Sequence, residues 1–238
     1  MADDRAALRD PGPALELAHP PPPAALFRVE GTLTPRLTLA AAAWLSLNAQ
    51  RVRARLFGLS SLLVAAPLAG GPFRDPGRAQ RVAWAALEGM SEDRLVVLGE
   101  LYAREHLIPT LDPVAVDLLE RAVLRGMRVV LLSDGLECFL RPLADHLGVR
   151  ELLCNAMELD GGRATGALRA PTLGPEPGGA PLRELLERHG IDPSSASAYG
   201  ARRADGMLLS AVANPCAVRP DRELRRLARD LDWPVVEG

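Results

Sequence analysis

The chain has 238 residues, 48% of them hydrophobic and 24% charged, an ordinary globular balance that excludes fibrous or broadly disordered architectures. Its net charge of −2 excludes the strongly basic footprint expected of a nucleic-acid binder. All 28 cationic residues are Arg, so any mechanism that requires a lysine amine is excluded too. Cys138, Cys154 and Cys216 are widely spaced, with no CxxC pair and no ligand spacing. That usage fits a reduced, cytoplasmic protein. The opening Met-Ala-Asp-Asp-Arg lacks the apolar core of a secretory signal.

Residues 1 to 23 are charged and then Pro-rich, which predicts a disordered lead-in. Ala24 to Val29 is a short apolar run stopped by Glu30-Gly31-Thr32, the pattern of a buried strand entering a tight turn. From residue 35 to 112 the apolar spacing is helical. Leu37, Ala41, Trp44, Leu45 and Leu47 mark one helix, Val82 to Leu87 a second and Leu95 to Tyr102 a third, with Ser91 as the third one's N-cap. The most apolar stretch, Phe57 to Gly71, is broken by Ser60, Ser61 and Pro67 and falls short of a transmembrane span. A buried helical hairpin is expected there, with a membrane-surface segment as the other reading.

After Asp112 helices and strands alternate. Val114 to Arg125 predicts a helix closed by Gly126, and Met127 to Ser133 a strongly buried strand. Glu137 to Leu147 predicts a helix ended by Gly148, Leu152 to Asn155 a strand, and Met157 to Leu168 a hairpin about Asp160-Gly161-Gly162. Leu182 to His189, Asp205 to Val212 and Asp221 to Asp230 predict helices. Ser197 to Gly200, Cys216 to Arg219 and Trp233 to Val236 predict strands. The repeated units imply an α/β class: a Rossmann-like parallel sheet formed by residues 24–34 and 113–238, with 35–112 inserted as a helical cap.

Several of these pieces, in this order, resemble the phosphoserine phosphatase-like branch of the haloacid dehalogenase superfamily. They are Glu30-Gly-Thr-Leu33, Gly89-Met-Ser-Glu92 in the cap, the strand ending in Ser133, and Arg141-Pro-Leu-Ala144. Thr165-Gly166, Ala198-Tyr-Gly200 leading to Asp205, and Asn214-Pro215 through Asp221 follow. The resemblance implies a capped phosphomonoester hydrolase. In such an enzyme a strand-end carboxylate attacks phosphorus, and a second acid two residues on protonates the leaving group. A Ser or Thr and a Lys hold the phosphoryl oxygens, and acids after a later strand hold Mg²⁺.

Matched onto that pattern, the nucleophile position is Arg28, which carries no carboxylate. Glu30 occupies the acid position and Ser133 the hydroxyl position. The lysine position falls at about Pro181, where only Arg183 nearby supplies a cation. Ala201 replaces one metal-binding acid, and Asp205 remains as a weak metal position that also suits a helix start. The resemblance therefore implies a pseudophosphatase with Glu30 and Ser133 as remnants. Arg28, Ser133, Arg183 and Arg202 are candidate contacts for a phosphate-containing or other anionic small molecule, and a protein partner is the other expected role. No cofactor is expected on this reading. The alternative is an active hydrolase with a rearranged site, which would use Mg²⁺. An ion pair of Arg28 with Glu30 or Asp205 is the simplest structural expectation, and the four His residues show no ligand spacing.

Overall fold

The computed structural model describes residues 23–35, 38–48, 75–170 and 172–237. The lead-in up to residue 22, with His19, and the stretch Phe57 to Gly71 lie outside the described residues. Six strands form one parallel sheet: β1 (Ala24–Arg28), β2 (Arg128–Leu136), β3 (Glu151–Asn155), β6 (Ser197–Gly200), β7 (Asn214–Val218) and β8 (Val235–Val236). Their order is β3-β2-β1-β6-β7-β8, so the chain winds outward in both directions from the centre. β4 (Met157–Asp160) and β5 (Arg163–Leu168) form the expected antiparallel hairpin.

β1 reads as an unbroken apolar run because both its faces are covered. Ala25 and Phe27 enter one apolar cluster, and Ala24 and Leu26 enter the other. Phe27 also stacks on its register partner Tyr199, with ring centroids 4.2 Å apart. The helices are α1 (Thr38–Leu47), α2 (Pro76–Ala85), α3 (Glu92–Tyr102), α4 (Pro113–Leu124), α5 (Glu137–His146), α6 (Gly179–Arg188), α7 (Gly206–Ser210) and α8 (Arg222–Asp230). Gly126 and Gly148 follow α4 and α5 at positive φ, which an L side chain resists. Among the described residues no helix is long and apolar enough to cross a membrane.

The inserted helices do not form a separate core. Ala41, Leu45, Trp84, Leu98 and Tyr102 share one cluster with Phe27, Leu131 and Leu140. The hairpin docks on the insertion through a pair of 2.8 Å backbone bonds, from Gly89 to Ala164 and from Ala164 to Met90. Gly99, within α3, packs directly on the Cys138 carbonyl of α5. An exposed helical Gly gains about 1 kcal/mol on replacement by Ala. Here a methyl would overlap backbone that cannot yield locally, so the sign reverses. Gly99→Ala is expected to destabilise by about 1–3 kcal/mol, read from the shift of the urea-unfolding midpoint. A stabilised variant would show that α3 and α5 do not pack this closely.

Some expectations change in detail. β2 runs on to Leu136, past Ser133, with an irregularity in its pairing to β3. The helix expected from Asp205 to Val212 is a 3₁₀ turn over Arg203–Asp205 followed by the short α7. Ser91 stands at the N-cap of α3, but its side chain makes no capping bond.

Candidate functional site

Open parallel sheets leave a crevice at the carboxyl ends of the strands where their order reverses. In this chain the reversal lies at β1, flanked by β2 and β6. The end of β1 presents Arg28, β2 presents Ser133 and Asp134, and the turn after β6 presents Asp205. All four are buried, at 2%, 0%, 4% and 0% exposure, and Glu30 joins them at 6%.

Arg28 is the centre of the group. Its Nε donates to Asp205 Oδ1 at 3.0 Å, and its Nη2 donates to Asp134 Oδ1 at 3.2 Å and to the Pro175 carbonyl at 3.4 Å. Nη1 lies 3.1 Å from Glu30 Oε2, close enough for an ion pair, although neither atom completes a hydrogen bond. Burial works against the charge of Arg28, but the surrounding Glu30, Asp134 and Asp205 outweigh it and bind its proton more tightly than usual.

Each carboxylate has a second attachment. Asp205 Oδ2 accepts from the backbone N–H groups of Ala201 and Arg202, both at 2.9 Å, so its role is to close the 3₁₀ turn as well as to hold Arg28. The Asp134 side chain accepts at 3.3 Å from Gln80, which α2 extends down from the cap. Gln80 and Asn155 also both donate to the Asp134 and Leu173 carbonyls, tying cap, sheet and the loop after the hairpin into one buried polar hub. Glu30 accepts a short hydrogen bond from Ser133, whose Oγ in turn accepts from Gly135 N–H at 2.9 Å. Burial and the neighbouring charge of Asp134 push Glu30 up to about 8, against the opposing pull of Arg28 and Ser133. The shift favours the protonated form of Glu30 over the ionised one.

The expected pairing of Arg28 thus includes Glu30 and Asp205 together, plus Asp134, which the sequence reading missed. Arg183 does not join them. It is exposed on α6 and lines a different hollow beside Leu186 and Met207. Pro181 lies elsewhere as well, in the lining of another hollow that Cys154 and Leu185 share. Arg202 does reach the site: its stem crosses Gly31, where any side chain would overlap it, and it lines the cavity above Arg28.

The donor set does not fit Mg²⁺. A guanidinium occupies the position between the acids, Ala201 offers no side-chain oxygen, and both oxygens of Asp205 are committed. Nor does residue 28 have an atom able to attack phosphorus.

A family model described as haloacid dehalogenase-like hydrolase matches residues 25–210. The chain belongs to that family. Among its relatives, the inhibition of morphological differentiation protein of Streptomyces azureus is 30% identical over 172 residues, covering 71% of this chain and 62% of that one. A phosphoserine phosphatase of Mycobacterium tuberculosis is 29% identical over 161 residues, covering 68% and 52%. This chain therefore spans between half and two thirds of those two relatives. The fold is similar to that of a Bordetella pertussis protein of unknown function, with a TM-score of 0.76 at 22% identity over 91% of this chain and 99% of that one.

Proposed function

We propose that this haloacid dehalogenase-like chain does not hydrolyse phosphomonoesters, and acts instead by binding a small anionic ligand or a protein partner. The observation that carries the reading is Arg28 at the strand-end nucleophile position, ion-paired to Asp134 and Asp205 and 3.1 Å from Glu30. In the family's chemistry that position must supply the attacking carboxylate. A guanidinium is an anion-binding hydrogen-bond donor with no free lone pair to attack phosphorus.

The reading with a rearranged active site needs Glu30 as the nucleophile or acid. Burial and the charge of Asp134 raise Glu30 above the ordinary carboxylate range, which disfavours the ionised form that a nucleophile needs. As an acid it would need to face a leaving group, yet one oxygen is held by Ser133.

The test is phosphate release from phosphoserine and p-nitrophenyl phosphate with Mg²⁺. The expected result is release no faster than the blank, against the roughly 1–1000 s⁻¹ usual for enzymes. Magnesium-dependent turnover that disappears in Glu30→Gln would overturn the proposal.

A further inference from the structure

The hollow that Arg183 lines is a better-formed site than its distance from the strand ends suggests. α6, α7 and α8 pack on the sheet face that carries Ala24 and Leu26, away from the cap helices. The hollow beside them measures about 560 Å³, within the roughly 300–1,000 Å³ usual for small-molecule sites. Its apolar walls are Leu182, Leu186, Pro193, Met207 and Leu227. Leu182 and Leu186 are 2% and 1% exposed and make the floor, whereas Met207 stands at the rim, 52% exposed. A methionine there can adjust to what it meets, because its unbranched thioether chain repacks easily. Ser210 adds a hydroxyl, but that group already donates to the Gly206 carbonyl at 2.8 Å.

The charged residues of the lining are Arg183 and Arg203, and no Asp or Glu joins them. Gly206 makes room for Arg203, whose Nη1 an added Cβ would meet at 2.9 Å. The nearest acids along the chain are engaged elsewhere or lie outside the lining. Glu184 pairs with Arg188 at 3.7 Å, and Asp192 accepts from the Ser194 N–H at 2.9 Å. Asp221 accepts from the backbone N–H groups of Arg203 and Leu224, at 3.0 and 2.8 Å. Glu187 and Glu223 are exposed and do not line the hollow. Among the described residues neither guanidinium has a carboxylate partner.

Apolar walls with cations as their only charges suit one chemical class. An inorganic anion would leave the walls unused, and a neutral hydrocarbon would leave the arginines unused. A cationic amphiphile would meet two like charges. We infer that this hollow binds a small amphiphilic anion, its apolar body against Leu182, Leu186 and Leu227 and its anionic head at Arg183 and Arg203. The site is separate from the strand-end cluster, so the inference holds whether or not that cluster hydrolyses phosphomonoesters.

The experiment is a fluorescence titration of the whole chain with anilinonaphthalene sulfonate, an apolar anion, at neutral pH. Decanoate, decyltrimethylammonium and inorganic phosphate serve as competitors. A saturable rise is expected, which decanoate reverses at about tenfold lower concentration than the cation and which phosphate leaves alone. Arg183→Gln should weaken the probe about threefold and the double change with Arg203→Gln about tenfold, the scale of exposed ion pairs. Met207→Glu, which sets a carboxylate at the rim, should abolish binding. Both arginines and Met207 are exposed, so the urea midpoints of these variants should stay near wild type. The absence of a saturable rise would overturn the inference. Equal displacement by the cation, displacement by phosphate, or unchanged binding in the double variant or in Met207→Glu would do the same. So would a loss in Arg203→Gln with Arg183→Gln unchanged, because Arg203 also lines the cavity above Arg28 and the probe would then sit there.

Discussion

Arg28→Met is expected to cost about 3–5 kcal/mol at neutral pH, the largest effect of any single substitution in the site. The magnitude follows from what is left behind rather than from what is removed. Three acids at 6%, 4% and 0% exposure would lose the one cation that meets all of them. A typical domain holds only about 5–15 kcal/mol in total, so the variant should unfold at a much lower urea concentration.

The pH dependence of that loss identifies its cause. Without the guanidinium, burial and mutual repulsion favour the protonated acids, so the native variant binds more protons than its unfolded chain. Stability from such groups is full at low pH and is lost as pH rises through their native pKa values. Arg28→Met should therefore be closer to wild type at pH 5 than at pH 8. A volume effect would be independent of pH. Arg28→Lys should fall between the two, because an ammonium keeps the charge but cannot reach three carboxylates with a planar fork. A wild-type stability profile in Arg28→Met would mean that the cluster is not ionised as described.

This cluster also shows what the sequence made legible and what it hid. β1 and β2 were readable because strands covered on both faces carry continuous apolar runs, and the hairpin because Asp160-Gly161-Gly162 marks its turn. Arg28 stood out because the match onto the family's pattern put it where an attacking carboxylate is expected, and departures of that kind collect at functional sites. Asp134 carried no such mark. It follows Ser133, where the strand was expected to stop, and only the extension of β2 to Leu136 keeps it buried beside Arg28.

Gln80 and Pro175 were hidden for a different reason. They come from α2 and from the loop before α6, and nothing local in either segment announces a partner in β1 or β2. Arg183 failed in the opposite sense, because closeness in sequence to Pro181 was taken as closeness in space. α6 starts at Gly179, and its buried face is Leu182, Leu185 and Leu186, which leaves Arg183 pointing outward. A buried guanidinium facing only Glu30 and Asp205 still leaves one fork nitrogen to satisfy. Seeking a third acid at the neighbouring strand end was the available clue to Asp134.

Glu30→Gln should change the shape of the stability–pH curve, not merely its height. In the native chain Glu30 is pushed up to about 8 from an ordinary 4.5 by burial and by Asp134. Between those values the folded protein holds a proton that the unfolded chain has released. This group's contribution is therefore complete below about pH 4.5 and declines as pH rises through about 8. The slope is at most about 1.4 kcal/mol per pH unit. A glutamine cannot ionise, so the variant lacks that decline. The two curves should converge or favour wild type near pH 5, where the protonated acid keeps its bond with Ser133, and should cross so that Glu30→Gln is the more stable at pH 9. The difference between the curves, taken from urea unfolding at each pH, cancels the titration of every group that is unaffected by the substitution. Parallel curves would show that Glu30 is already ionised at neutral pH.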